Sequence, residues 1–233
     1  MTLEEISDRL ATVRSQIAAA AERSNRAAED VQLVVVSKTH PPDIVRLALA
    51  AGVTDLGENR IQEAEEKITV VGRSAARWHL IGHLQSNKAR RSVMLFDLIH
   101  SIDSAELARR LDRMCEDEGR KDLPVLVQLN LAGEATKSGI DPQELPKLVE
   151  AITSCSHVRM TGLMTVPPFF SDNEQVRPIF RRLRELRDEM KSQGVFVSGP
   201  GELSMGMTHD FPVAIEEGAT IVRIGTAIFG ERH

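Results

Sequence analysis

The chain has 233 residues, with Lys+Arg 29 against Asp+Glu 34 for a formal charge of −5, and is 42% apolar and 3% aromatic. That length admits one α/β barrel of about 250 residues or two domains of roughly 150. The mild acidity, with both signs interspersed, excludes the basic field that a nucleic-acid partner requires. Glu4, Glu5 and Asp8 occupy the stretch where a signal peptide would be basic and then apolar. No uncharged stretch approaches the roughly 18 residues that span a bilayer. Cys115 and Cys155 form no CxxC pair, so neither a disulfide framework nor a zinc ribbon is expected. These features describe a cytoplasmic protein with no membrane or nucleic-acid partner and no metal. The chain contains no tyrosine.

Leu3, Ile6, Leu10, Val13 and Ile17 recur at helical spacing, which predicts a leading helix from Leu3 to about Ala28, opened by the Thr2/Glu5 capping box. The β-branched run from Val31 to Lys38, stopped by Pro41-Pro42, predicts a strand buried on both faces. Helices follow at Asp43 to Ala51 and Asn59 to Val71, with strands at Val53 to Gly57 and Trp78 to Ile81. Further strands are predicted at Leu95 to His100, Pro124 to Leu131, Val158 to Leu163, Gly194 to Ser198 and Thr220 to Gly225. Helices at Ala105 to Glu118, Pro142 to Ser154, Glu174 to Ser192 and Asp210 to Glu217 separate them. Eight units of roughly 25 residues sit near the ~30 of an average (β/α)8 barrel. No linker interrupts them, so one barrel spanning 1–233 is expected, with 1–28 as a leading helix packed on it. An open doubly wound sheet shares the alternation and is the rival.

Function in a barrel collects at the C-terminal ends of strands. Alternation sets Val34, Val36 and Lys38 on one face, so the lysine extends an inward apolar row. An amine held among valines loses hydration and becomes available for imine chemistry; the plainer reading is a lysine that ends a strand and reaches solvent. After the seventh and eighth strands come Glu202-Leu203-Ser204-Met205-Gly206-Met207-Thr208 and Ile221-Val222-Arg223-Ile224-Gly225-Thr226-Ala227. Glycines there let backbone amides approach an oxyanion, and Ser204 and Thr226 add hydroxyls, although each segment alone could be an ordinary capped turn. Arg223 shares the inward face with Ile221 and Gly225, where a buried guanidinium needs a carboxylate or ligand partner. His79 and His83 have no Asp, Glu or Cys near them in sequence to complete a metal site. A satisfied core histidine, or a polar group lining the barrel mouth, suits them better.

Taken in order, Val35-Val36-Ser37-Lys38, Gly57-Glu58-Asn59, the run Trp78 to Lys88, Lys137-Ser138-Gly139, Gly162-Leu163-Met164, Leu203-Ser204-Met205-Gly206-Met207 and Arg223 to Gly230 resemble the pyridoxal phosphate homeostasis proteins end to end. The resemblance implies a barrel like the N-terminal domain of alanine racemases, with pyridoxal 5′-phosphate held as a Schiff base on Lys38. It further implies a phosphate cradle of Ser204, Gly225 and Thr226, with the Met205 amide added. Arg223 would face the pyridine nitrogen, and Asn59, His79 and Met164 would lie near the ring.

The resemblance also separates a carrier from an enzyme. Related racemases use a lysine on one face of the substrate carbanion and a tyrosine on the other, and this chain has none. The sequence ends within ten residues of Arg223, so the additional β-domain that closes the racemase site is not expected here. A cytoplasmic monomer that buffers the cofactor, or delivers it to pyridoxal phosphate-dependent apoenzymes, is therefore expected. A weak racemase-like enzyme using His79 or His83 is the alternative. A barrel acting on a phosphorylated metabolite, with no cofactor, is the third reading. Lys88 and Lys137 read as solvated surface lysines or as a second loading site.

Overall fold

A computed structural model describes residues 1–133, 138–197 and 199–230. Its eight strands are β1 Gln32–Val36, β2 Asp55–Glu58, β3 Arg77–Leu80, β4 Leu98–Ile102, β5 Leu123–Leu129, β6 Val158–Thr165, β7 Glu202–Ser204 and β8 Ile221–Ile224. All are parallel and pair in chain order, and β8 returns to β1 in register from Gln32↔Ile221 to Val35↔Ile224. That last pairing closes the barrel and excludes an open sheet, which would leave both strands as edges.

Around it run α1 Leu3–Arg23, α2 Pro42–Ala50, α3 Ile61–Val71, α4 Ala89–Leu95, α5 Ala105–Asp117, α6 Leu145–Thr153, α7 Arg177–Ser192, α8 Phe211–Glu216 and α9 Thr226–Phe229. No helix among the described residues is long and apolar enough to cross a membrane. In α1 the capping box forms, with Thr2 Oγ1 accepting from the Glu5 amide and the Glu5 carboxylate accepting from the Thr2 amide. Its stripe of Ile6, Leu10, Val13 and Ile17 is buried, and the helix packs on α2, α8 and α9. The helix stops at Arg23, short of Ala28, because Asn25 turns the chain with φ 55° into a short 3-10 segment at Ala28–Asp30.

Two other expectations need correction. The strand predicted at Gly194 to Ser198 is not one over its described residues, and Val197 is 84% exposed; Ser198 itself lies outside the described residues. The seventh strand is instead Glu202–Ser204, admitted beside β6 by Gly162, where a Cβ would stand 2.1 Å from the Glu202 carbonyl oxygen. The helix α4 is not predicted at all. Leu95 closes it, so the fourth strand begins at Leu98 rather than Leu95.

Each strand alternates between two cores. Outward residues such as Val35, Leu56, Trp78, Ile99, Leu203 and Val222 join the layer beneath the helices. Inward residues Val34, Leu98, Leu126, Met164 and Ile221 form a small apolar cluster inside the barrel. The rest of that interior holds a buried polar set that includes His79, His100, Ser204 and Arg223.

Candidate functional site

At the C-terminal end of the barrel, β1 ends at Val36 and the chain leaves through Lys38, which is half-buried. Thr39 adopts φ 69°, an unfavourable conformation for a β-branched residue. Its amide donates to Glu63 Oε2 at 2.9 Å, and the His40 amide donates to the Ser37 carbonyl at 3.1 Å. These bonds hold the strained turn and fix where Lys38 departs from the strand.

A buried brace lies directly behind. Ser37 Oγ donates to Glu58 Oε1 at 2.6 Å, while Lys67 Nζ donates to the same oxygen at 2.5 Å and to the Ser37 carbonyl at 2.7 Å. Burial pushes the Glu58 carboxyl above its usual range, against the opposing pull of Lys67 and Ser37. The brace ties the residue before Lys38 to the residue before Asn59. Gly82 packs on the other side of Asn59, where a Cβ would stand 2.4 Å from its carbonyl oxygen.

Between β1 and β8 opens a cavity of about 290 Å³, near the lower end of the roughly 300–1,000 Å³ common for small-molecule sites. Val36, Lys38 and Asn59 border one side; Arg223, Gly225 and Thr226 border the other. Val166, which packs on the apolar cluster inside the barrel, also borders it. No carboxylate lines the cavity among the described residues. Arg223 is only 3% exposed; its Nη1 donates to Ser204 Oγ at 2.5 Å and its Nη2 to the Thr165 carbonyl at 2.9 Å. Burial lowers its pKa to about 10, with Asp210 opposing, so it remains a cation at neutral pH.

Lys38, Asn59, Arg223, Gly225 and Thr226 are thus brought together, and the other four sequence candidates are not on the cavity wall. Ser204 is fully buried, with its hydroxyl shared between Arg223 and His100. The Met205 amide is already used, donating to the Ile221 carbonyl at 3.1 Å, and its side chain packs beneath the helices. Met164 belongs to the apolar cluster inside the barrel. His79 is 0% exposed, bonded to Asp55 through Nε2 and to His100 through Nδ1. His83 bonds Asp103 Oδ2 at 3.1 Å and borders a separate hollow of about 650 Å³, which Lys88 also lines. Lys88 Nζ lies 3.4 Å from Gln62 Oε1. Lys137 lies outside the described residues. The imidazoles that do border the Lys38 cavity are His40 and His209, with Thr208 beside them. The sequence reading passed over both imidazoles, although His40 lies two residues and His209 one residue beyond segments it had singled out, the second of which ends at Thr208 itself. The larger hollow also carries a guanidinium and an amine, Arg60 and Lys88, but Arg60 is exposed and the Glu63 carboxylate stands on the wall, so chemistry rather than size marks the smaller one.

Residues 9–233 match the family model described as "Alanine racemase, N-terminal domain", which makes this chain a barrel of that class. It is 44% identical to the pyridoxal phosphate homeostasis protein of Aquifex aeolicus (strain VF5) over 97% of each chain, and 41% identical to that of Pseudomonas aeruginosa over 99% of this chain and 97% of the relative. The chain belongs to the pyridoxal phosphate homeostasis protein family. Among solved structures, PipY of Synechococcus elongatus PCC7942 with PLP bound superposes at TM-score 0.82 and 39% identity, covering 97% of this chain and 100% of that one. An alanine racemase from Bartonella henselae superposes at TM-score 0.71 and 14% identity over 60% of its own chain, a likeness of fold alone.

Proposed function

We propose that this chain binds pyridoxal 5′-phosphate reversibly at Lys38 and holds it for buffering or delivery, without strong turnover of its own. One observation carries the reading: an amine, a guanidinium and a Gly–Thr pair share one cavity with no carboxylate on its described wall, a donor set suited to a phosphorylated aldehyde. When bound, the cofactor supplies an aldehyde carbon that bonds to an amine nitrogen with loss of water, and hydrolysis reverses the bond.

Lys38 provides that amine from a turn already fixed by the Thr39 and His40 amides. Gly225 and Thr226 receive the phosphate, the glycine by leaving backbone accessible and the threonine by its hydroxyl. Arg223 faces the ring nitrogen, and because a guanidinium keeps its proton, the ring stays a weak electron sink. That suits holding better than catalysis. Asn59 borders the ring, Met164 supports the floor from beneath, and Ser204 and His79 act through Arg223 rather than by touching the ligand. Met205 contributes packing. The carrier works as one barrel unit, a cytoplasmic monomer whose recipients are apoenzymes using the same cofactor. A second reading, a weak racemase-like enzyme, would draw its other base from His40 or His209, the imidazoles on the cavity wall.

The test is the absorbance of purified protein with pyridoxal phosphate, before and after borohydride reduction, with peptide mapping of the adduct in wild type and Lys38→Ala. A visible band in wild type with the adduct on Lys38, lost in the variant, is the expected result. Adducts scattered equally over surface lysines of both proteins would overturn the reading and revive a barrel acting on a phosphorylated metabolite. Amino acid turnover that disappears in His40→Gln or His209→Gln, with the visible band retained, would favour the enzyme.

A further inference from the structure

Polar side chains from five strands form one unbroken line through the barrel interior. Arg223 Nη1 meets Ser204 Oγ at 2.5 Å, and Ser204 Oγ meets His100 Nδ1 at 2.8 Å. His100 Nε2 meets His79 Nδ1 at 3.0 Å, and His79 Nε2 meets Asp55 Oδ1 at 2.9 Å. Ser204, His79 and His100 are 0% exposed, Arg223 3% and Asp55 7%. The top of the line borders the Lys38 cavity. Asp55, the first residue of β2, lines a groove of about 390 Å³ beside α1 together with Gln32 and Thr54.

With both rings neutral, the carboxylate end fixes the direction of every bond. A guanidinium only donates and a carboxylate only accepts. Arg223 therefore donates to Ser204, whose hydroxyl donates to His100 Nδ1. His100 then carries its proton on Nε2 and donates to His79 Nδ1, and His79 carries its proton on Nε2 and donates to Asp55. Both imidazoles are neutral in this pattern. Burial, reinforced by the charge of Arg223, holds His100 well below the ordinary histidine range, in agreement with a neutral ring. At the far end, burial works against charge on Asp55, but the bonds from His79 and Thr54 and the charge of Arg77 outweigh it and keep the carboxyl ionised. At the near end, the charge of Asp210 acts on Arg223.

We propose that Asp55, His79, His100 and Ser204 form a positioning relay that fixes the orientation of Arg223 and brings the influence of a carboxylate at the barrel floor to the ligand cavity. A local ion pair would serve Arg223 by contact. Here the carboxylate acts through three intervening side chains, each donating one bond and accepting one, so the influence passes without a proton having to move. The inference rests on the ligand reading above only for what Arg223 faces.

Two measurements test it separately. In ligand-free, 15N-labelled protein, long-range proton–nitrogen NMR of the imidazoles reads the tautomers without any cofactor. Both His79 and His100 are expected with the proton on Nε2 and a bare Nδ1; a proton on Nδ1 of either ring overturns the relay. In loaded protein, pH titration of the visible band compares wild type with Asp55→Asn, whose folding is checked by its melt. Removing the negative charge is expected to displace the titration to lower pH by roughly half a unit or more. A folded Asp55→Asn protein titrating where wild type does would overturn the proposal. If that variant does not fold, the wild-type tautomers decide alone. A wild type with the expected tautomers and no visible band would leave the relay standing and remove the ligand reading instead.

Discussion

Replacing Lys67 by Met isolates the energetics of the brace behind the cavity. Side-chain exposure is 4% for Lys67 and 0% for Glu58, so the substitution leaves a carboxylate in the core with only Ser37 Oγ as donor. Glu58 Oε2 already lacks a hydrogen-bond partner. Breaking a buried pair by removing one member costs about 3–5 kcal/mol. For a chain of this length that is roughly 6–20 °C in melting temperature. The loss also depends on pH. Glu58 is already raised above its unfolded value by burial, and without Lys67 it rises further, so the folded variant binds a proton that the unfolded chain releases above about pH 4.3. Stability of Lys67→Met therefore falls as pH climbs through that window, by up to about 1.4 kcal/mol per unit, and its gap to wild type widens from pH 5 to pH 8. Urea titrations at the two pH values measure both quantities. The double variant Glu58→Gln with Lys67→Met keeps an acceptor for Ser37 and no buried charge, and is expected to recover most of the loss. A single variant within about 1 kcal/mol of wild type at both pH values would mean the pair is solvated, and would refute this account.

Two further outcomes follow from local geometry. Gly162→Ala sets a Cβ against the Glu202 backbone and should destabilise by about 1–3 kcal/mol or prevent soluble expression; a wild-type melt would show that β7 can shift without cost. Asp97 is half-buried, which alone would raise its pKa, but bidentate bonds from Arg73 and the Trp78 amide hold it below its ordinary value. Its contribution is fully present above about pH 3.9 and lost as pH falls through the lower folded value. Wild type should therefore lose stability more steeply than Asp97→Asn between about pH 4 and 2, as followed by circular dichroism in urea.

The alternation of strand and helix was legible because β1 and the amphipathic helices are local patterns. Val34 and Val36 point inward, and with them the route of Lys38 to the cavity could be read from a period of two. The seventh strand could not. Val195-Phe196-Val197 has strand composition, whereas Glu202-Leu203-Ser204 owes its state to a glycine some forty positions earlier and to a serine whose partners are His100 and Arg223. The same limit applied to His79. Its partners Asp55 and His100 stand 24 and 21 positions away, so closure of the barrel rather than spacing decides that it bonds in the interior. His40 and His209 escaped notice because loops carry no period from which direction can be inferred.

The pairing of β8 with β1 has a consequence for assembly. The amine and the guanidinium come from opposite ends of the chain, and neither half of the cavity exists until the last strand docks on the first. A nascent or truncated chain lacking β8 offers a lysine with no cradle. If the ligand binds at this cavity as proposed, its capture reports that the ring has been sealed, and each bound molecule tightens the seam at which an all-parallel barrel, built from distant contacts, would otherwise begin to open.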